Sequence, residues 1–306
     1  MAAVNMMAMG EGARSAVDDV IGLAAGRAVG VAEHGDPSGE VVFLLHGTPA
    51  SRVGFGFAHE PARARRVRLV CPDRPGIGRS DPDPGVRRVV DYAGELEALA
   101  DAMGVERFSV IGYSGGSGFA LAAAAGLGDR VKAVALVAGV GPLDRPGGRA
   151  SLALADRVLL ELCERRPRLA AAVLRASRRA AQLGPRAALA AFRADLPDAD
   201  RRFLDRDERG PALVQSFLEA LRRGPGGVID DYRIPARPWG FDLGDVAHAV
   251  DLWHGDEDDV VPLARAEDLA GALPHARMHR VAGEGHISIQ GHLGAALDEM
   301  LGSAPS

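Results

Sequence analysis

The amino-acid sequence predicts an α/β protein: a mostly parallel sheet with helices on both faces, interrupted by a helical insertion. Three observations carry that reading. Short apolar runs alternate with segments of helical periodicity at close spacing, the pattern of strands and helices wound into a parallel sheet. The runs end in loops rich in glycine and proline. Between Arg145 and Gly240 the alternation stops and the composition changes, with 19 arginines against 12 acidic residues in a chain whose formal charge is −5.

The elements follow in order. Residues 1–18 read as a flexible N-terminal segment, without the positive and continuously apolar regions of a secretory signal. Val20 to Ala25 and Ala28 to Glu33 read as strands joined at Gly26, and Asp36-Pro37-Ser38-Gly39 closes the hairpin off. Val41 to Leu45 is a continuous apolar run, suited to a central strand buried on both faces. Arg68 to Cys71 is a further strand, leading into the turn-rich loop Asp73 to Ser80. From Asp91, a predicted N-cap, to Met103 the apolar positions recur at three and four residues, and Gly104 stops the helix. Arg107 to Ile111 reads as a buried strand, Phe119 to Ala125 as a helix, and Val131 to Val137 as the next strand.

The stretch from Arg145 to Gly240 shows Ala/Leu/Arg helical periodicity, broken at Pro167, Gly184-Pro185, Pro197, Gly210-Pro211 and Gly224-Pro225. It reads as four or five helices whose arginines are solvated on their outer faces. Alternation then resumes, with strands at Val250 to His254 and Arg277 to Val281 and helices at Leu263 to Leu273 and Ile287 to Leu301. The core is thus expected in residues 19–144 and 241–306, with 145–240 inserted.

Composition narrows the function classes. A chain of 306 residues that is 47% hydrophobic and 25% charged can bury a sizeable core. The absence of a basic tail or a Lys/Arg run with interleaved aromatics argues against a nucleic-acid partner. A small-molecule substrate fits better. Nothing approaches 18 uninterrupted apolar residues, so no membrane span is expected, and the chain reads as cytoplasmic. Cys71 and Cys163 lack metal or redox spacing and read as buried free thiols. Neither a metal nor a cofactor is expected, and the oligomeric state stays open, a homo-oligomer included.

The chemistry centres on Gly112-Tyr113-Ser114-Gly115-Gly116, a G-x-S-x-G motif between a predicted strand and a predicted helix. A serine there sits in a sharp, strained turn that presents its hydroxyl. A hydroxyl needs a base to act as a nucleophile, and the base needs an orienting carboxylate. His286, in Gly283-Glu284-Gly285-His286 after the last strand and before the last helix, alone among the histidines has the placement for the base. Four carboxylates follow the penultimate strand. The pattern G-x-x-D-x-h-x-P fits Gly255, Asp258, Val260 and Pro262, which selects Asp258, with Asp256 second. Asp259 and Glu257 read as helix-terminal or solvated charges. An oxyanion would be met by backbone N–H groups. Gly115, after the serine, supplies one, and Thr48, in His46-Gly47-Thr48-Pro49, the other, since Pro49 has none. Phe55, Tyr113, Phe119 and Trp239 are candidates for an apolar substrate lining. His46 reads as structural, and His248, His254, His275, His279 and His292 as surface or satisfied core.

Taken together, HGTP at 46–49, DRPGIGRS at 73–80, GYSGG at 112–116, GDEDDVVP at 255–262 and GEGH at 283–286 resemble the α/β-hydrolase superfamily, in its bacterial branch of cofactor-free, lid-bearing serine hydrolases. The likeness covers most of residues 20–303. It implies an eight-stranded sheet, a triad of Ser114, Asp258 and His286, an oxyanion hole of Thr48 and Gly115, and a cap over 145–240. It also implies structural roles for Pro75 and the glycines of the Asp73 loop. The expected activity is hydrolysis of a small ester, thioester or lactone through an acyl-enzyme. A ligand-binding or signalling protein that barely turns over is the alternative from another class. Perhydrolase and carbon–carbon hydrolase chemistry use the same groups. Relatives that remove N-terminal proline carry HGGPG and GGSWG, which this chain lacks, and Ser114 in place of aspartate argues against epoxide and haloalkane hydrolysis.

Overall fold

The computed structural model describes residues 17–145 and 147–302. Of the expected flexible segment, residues 1–16 lie outside the described residues, whereas Val17 and Asp18 already belong to the first strand. That strand, β1 (Val17–Gly22), pairs antiparallel with β2 (Ala28–Gly35). The hairpin turns at Gly26, whose φ of 83° suits glycine. β1 begins and ends earlier than the apolar clustering suggests, because it is a solvent-facing edge whose register is set by pairing with β2 rather than by burial.

β3 (Glu40–Leu45) is followed by a 3-10 segment, Arg52–Ala58, and α1 (His59–Ala64), neither of which the sequence pattern signals. β4 (Val67–Pro72) precedes α2 (Tyr92–Ala102). Asp91 stands before α2, but its carboxylate reaches backwards, accepting the N–H groups of Arg87 and Arg88 at 3.0 and 2.8 Å. β5 (Phe108–Tyr113), α3 (Ser117–Leu127) and β6 (Val131–Val137) complete the first half.

Among the described residues, six α-helices lie between β6 and β7 (Val250–Gly255): α4 (Leu154–Arg165), α5 (Pro167–Leu183), α6 (Pro185–Arg193), α7 (Asp198–Leu204), α8 (Arg209–Ala220) and α9 (Gly226–Arg233). This exceeds the expected four or five. Gly184-Pro185 splits α5 from α6, and Pro197 starts a separate short α7. Gly210-Pro211 does not break a helix, because it falls in the first turn of α8, where proline is tolerated. α10 (Leu263–Ala272), β8 (Ala276–Val281) and α11 (Leu293–Met300) close the chain. The expected last helix opens as a 3-10 turn, Ser288–His292, before α11 proper.

The strands form one sheet in the order β1-β2-β4-β3-β5-β6-β7-β8. All pairs beyond the antiparallel β1–β2 and β2–β4 are parallel. Alternate residues of β3 enter separate cores. Phe43 and Leu45 pack with Val110, Phe108 and Leu96 on one face, while Val42 and Leu44 join Leu69, Ile111 and Leu293 on the other. Burying each such side chain contributes about 1.5–3 kcal/mol. The parallel strands therefore direct their C-terminal ends, and the loops that follow, to one edge of a rigid slab.

The inserted helices have a cluster of their own, including Leu160, Cys163, Leu174, Val228 and Tyr232, which also takes in Ile77 and Leu143 from the sheet side. Polar contacts fasten them to the strand-end loops. Ser51 donates through its N–H to Ser216 Oγ at 2.9 Å. The buried Arg52 guanidinium meets Asp73 at 2.5 Å, Glu219 of α8 at 2.8 Å and Asp18 of β1 at 2.8 Å. A buried cation is tolerable only with such partners.

Candidate active site

Ser114 follows β5 directly and heads the 3-10 turn Ser114–Gly116 that leads into α3. Its φ is 49°, a left-handed conformation unusual for a residue with a side chain. A strain of about 1–3 kcal/mol is held by the packing around it. The flanking glycines are required by that packing. A Cβ on Gly116 would stand 2.2 Å from the Leu45 carbonyl oxygen, and one on Gly112 would stand 2.6 Å from Ser117 Cα.

The loops after β7 and β8 bring two further residues to the serine. His286 Nε2 lies 2.9 Å from Ser114 Oγ, and His286 Nδ1 lies 2.8 Å from Asp258 Oδ2. All three side chains are buried. The other oxygen of Asp258 accepts the N–H groups of Val260 and Val261 at 3.0 and 2.7 Å, so the loop's own backbone aims the carboxylate. Asp256 is turned elsewhere, accepting the Gly283 N–H at 2.7 Å. His254, buried at the end of β7, approaches Asp258 Oδ2 at 3.3 Å while its Nε2 meets the Val261 carbonyl at 2.8 Å.

These contacts set the charge balance. Burial alone would lower the His286 pKa. The Asp258 carboxylate and its hydrogen bond, together with the more distant Asp200 and Asp156, raise it above the ordinary histidine value. Burial would likewise raise Asp258, but His286, His254 and the Val261 N–H hold it below the usual carboxylate range. His254 itself is lowered, chiefly by burial, and stays neutral.

Close to Ser114, the loop after β3 carries Thr48. Its backbone nitrogen stands 3.3 Å from the point where a Cβ on Gly115 would lie, so the Thr48 and Gly115 backbones are neighbours. Neither is taken up by an acceptor among the described residues. Paired, unoccupied N–H groups beside a hydroxyl are the arrangement that can hold an oxyanion.

Of the expected lining residues, Phe55 and Tyr113 are near. Their rings meet edge to face at 6.1 Å, the Tyr113 ring lies 5.7 Å from that of His286, and its hydroxyl donates to the His286 carbonyl at 3.3 Å. Phe119 and Trp239 pack into the core instead. Five residues past Ser114, α3 has turned Phe119 towards Tyr92 and under the Arg74 guanidinium. Trp239 lies over Gly118 and donates to the Pro235 carbonyl. A mainly apolar cleft of about 280 Å³, lined by Val140, Leu143, Leu243, Val261 and Leu269, opens beside the Asp258 loop.

Three contributors have no signal in the sequence. Asp200 of α7 accepts the N–H groups of Ile287 and Ser288 at 3.0 and 2.8 Å. Asp156 of α4 accepts the Tyr232 hydroxyl at 2.7 Å. Asp231 of α9 accepts the Thr48 hydroxyl at 2.6 Å. Each is one among the twelve acids of the stretch from Arg145 to Gly240, where helical periodicity does not say which carboxylate turns inward. As for metals, Asp251, His279 and Glu299 bring ligand atoms within 4.8 Å of one another, but Arg277 already meets Asp251 at 2.8 Å and Glu299 at 3.3 Å. One guanidinium thus stands against both carboxylates of that group.

The family model described as alpha/beta hydrolase fold matches residues 40–292. The chain is 37% identical over 95 residues to a proline iminopeptidase of Xanthomonas citri, covering 30% of this chain and 29% of that protein. It is 31% identical over 121 residues to the 2-hydroxymuconate semialdehyde hydrolase of Pseudomonas putida, covering 39% and 42% of the two chains. The chain therefore matches well under half the length of these relatives. Among solved structures, a thermophilic esterase from Thermogutta terrifontis shares the fold with a TM-score of 0.68 and 23% identity, over 94% of this chain and 98% of that one.

Proposed function

Because the chain belongs to the α/β-hydrolase fold family, we propose that it is a serine hydrolase that cleaves a small ester, thioester or lactone through an acyl-enzyme. The observation that carries this reading is the hydrogen-bonded series from Ser114 through His286 to Asp258, with the Thr48 and Gly115 backbones close by, whose N–H groups have no acceptor among the described residues.

In this mechanism Ser114 Oγ attacks the substrate carbonyl as His286 Nε2 takes its proton. Asp258 keeps the Nδ1 proton in place and stabilises the imidazolium. The carbonyl oxygen, now negative, accepts from the Thr48 and Gly115 N–H groups. His286 then returns the proton to the leaving alcohol or thiol, and the acyl-serine remains. Water, deprotonated by the same imidazole, attacks the acyl carbon and frees the acid and the serine. Oxygen esters and thioesters suit this best, since their leaving groups depart more readily than an amine. The HGTPA and GYSGG loops differ from those of relatives that remove N-terminal proline, which supports ester over peptide chemistry.

The test is a panel of short-chain aryl esters, lactones and amino-acyl arylamides, run with wild type and Ser114→Ala. Wild type is expected to release aryl alcohol from an ester in a burst, and the variant to lose at least about 10³-fold in kcat. Equal turnover by the two proteins would falsify the mechanism. Turnover confined to amino-acyl arylamides would replace it with aminopeptidase activity.

A further inference from the structure

We propose that Asp231, on the inserted helix α9, is a positioning residue that sets the oxyanion-binding loop through Arg74 and Thr48, so that the seating of α9 governs transition-state stabilisation. This rests on the serine-hydrolase reading above.

The loop in question, residues 46–51, lacks regular structure and must be held by something else. One guanidinium does most of the holding. Arg74, at the start of the loop after β4 and 2% exposed, donates to the carbonyls of His46 and Gly47 and to the Thr48 hydroxyl, the last two at 3.1 and 3.2 Å. Its backbone N–H donates to His46 Nε2 at 3.3 Å. Three successive residues are therefore fixed from one point. That guanidinium is in turn fixed by Asp231, which takes a two-pronged contact at 2.5 Å from Nε and 2.6 Å from Nη2. Such bidentate geometry sets orientation as well as charge.

Asp231 also closes the circuit directly. The oxygen that receives Arg74 Nη2 receives the Thr48 hydroxyl at 2.6 Å. The Thr48 hydroxyl oxygen stands 2.7 Å from where a Cβ on Gly115 would lie, so the pinned side chain is packed against the residue that carries the second N–H. Fixing the Thr48 side chain thus fixes the spacing of both donors.

The Asp231 charge persists across working pH. Burial alone would raise the Asp231 pKa, but the Arg74 cation and the hydrogen bonds from Arg74 and Thr48 hold it below the carboxylate range. His46, pushed down to about 3 by burial and the neighbouring Arg74, remains a neutral acceptor. The approach of α9 is close. Gly227 lies against the Gly76 carbonyl, where a Cβ would stand 2.3 Å from the oxygen. Two glycines in contact let the helix come near enough for Asp231 to reach Arg74.

The test uses full-length Asp231→Asn and Thr48→Val. The first removes the charge that orients Arg74. The second removes only the hydroxyl link and leaves the Arg74–Asp231 pair. The readouts are kcat and KM on an aryl ester that wild type turns over, inhibition by phenylboronic acid, whose serine adduct carries a tetrahedral anion, and the melting temperature. Asp231→Asn is expected to lose about 10- to 100-fold in kcat, with KM within about threefold and boronate affinity weakened by the same factor as kcat. Thr48→Val is expected to lose in the same two parameters, and the double variant to lose less than the product of the singles. A folded Asp231→Asn with kcat and boronate affinity within about twofold of wild type, or with its loss wholly in KM, overturns the proposal. Should Asp231→Asn fail to fold, Thr48→Val decides on the same criteria. If Ser114→Ala is as active as wild type, the hydrolase reading fails and takes this inference with it; if Ser114→Ala is inactive and Asp231→Asn is unaffected, only the positioning role fails.

Discussion

The Asp200 carboxylate accepts the backbone N–H of Ile287 at 3.0 Å, so a helix of the insertion holds the peptide that leaves His286. Its charge also helps to raise the His286 pKa. Holding and charging can be separated. In Asp200→Asn the remaining oxygen still accepts the two N–H groups, but the negative charge is gone. The acidic limb of kcat/KM is expected to move to lower pH, with the plateau within about threefold of wild type. Asp200→Ala loses the anchor too and is expected to lower the plateau by about tenfold. Identical limbs in wild type and Asp200→Asn would remove the electrostatic role.

The base must be neutral to take the Ser114 proton, so activity falls as pH drops through the His286 pKa. Because that pKa is raised, the midpoint of the limb is expected above about 6.5, the ordinary histidine value. Asp258→Asn removes the largest raising influence. Its limb should shift down while kcat falls by about 10²- to 10⁴-fold. Asp256→Asn, which alters only a contact to Gly283, should stay within about threefold at all pH values. A pH–rate series on the three proteins checks both statements.

The left-handed backbone at Ser114 predicts that activity and stability separate. Both Ser114→Ala and Ser114→Gly should be inactive, yet glycine adopts a φ of 49° without strain. Ser114→Gly is therefore expected to melt a few degrees above Ser114→Ala, for a gain of about 1 kcal/mol. Equal melting temperatures would mean that the turn is not strained.

His34 of β2 is 2% exposed, and neither ring nitrogen has a partner among the described residues. Burial, with a smaller contribution from His59, pushes its pKa down to about 4. Protonation therefore favours the unfolded chain: stability is full above the unfolded value near 6.5 and is lost as pH falls from there towards 4. His34→Leu is expected to raise the melting temperature at pH 7 by a few degrees, removing about 1–2 kcal/mol of unsatisfied polarity, and to flatten the decline between pH 6.5 and 4. A melting series in that window, read for both proteins, decides it.

How much of this was legible in the sequence follows from which interactions are local. The parallel strands announce themselves because they are largely buried on both faces: Val41 to Leu45 is an unbroken apolar run, and Val131 to Val137 is interrupted only by the exposed Lys132. The choice of Asp258 over Asp256 also has a local cause, since its geometry is set by the N–H groups of Val260 and Val261, two and three residues on. The edge strand β1 hides its start at Val17 because solvent leaves its pattern unconstrained. Asp200, Asp156, Asp231 and Arg74 act across 76 to 183 residues of chain, through contacts that no spacing rule reports. Phe119 is aromatic and near the serine in sequence, but helix rotation places it against Tyr92 and under Arg74.

The fastening of the inserted helices has a consequence for anyone recombining parts between relatives. Glu219, Asp231 and Asp200 each cross from the insertion to a strand-end loop, meeting Arg52, Arg74 and the His286 loop in turn. A chimera that imports a foreign segment between β6 and β7 strips the buried Arg74 of its Asp231 counterion and Arg52 of Glu219, leaving Arg52 only Asp73 and Asp18, and unmoors two loops. Grafts that also carry matching acids, or that exchange Arg52 and Arg74 for the donor's residues, are the ones that should yield soluble, folded protein. The transplantable unit is the insertion together with the two arginines it was built around.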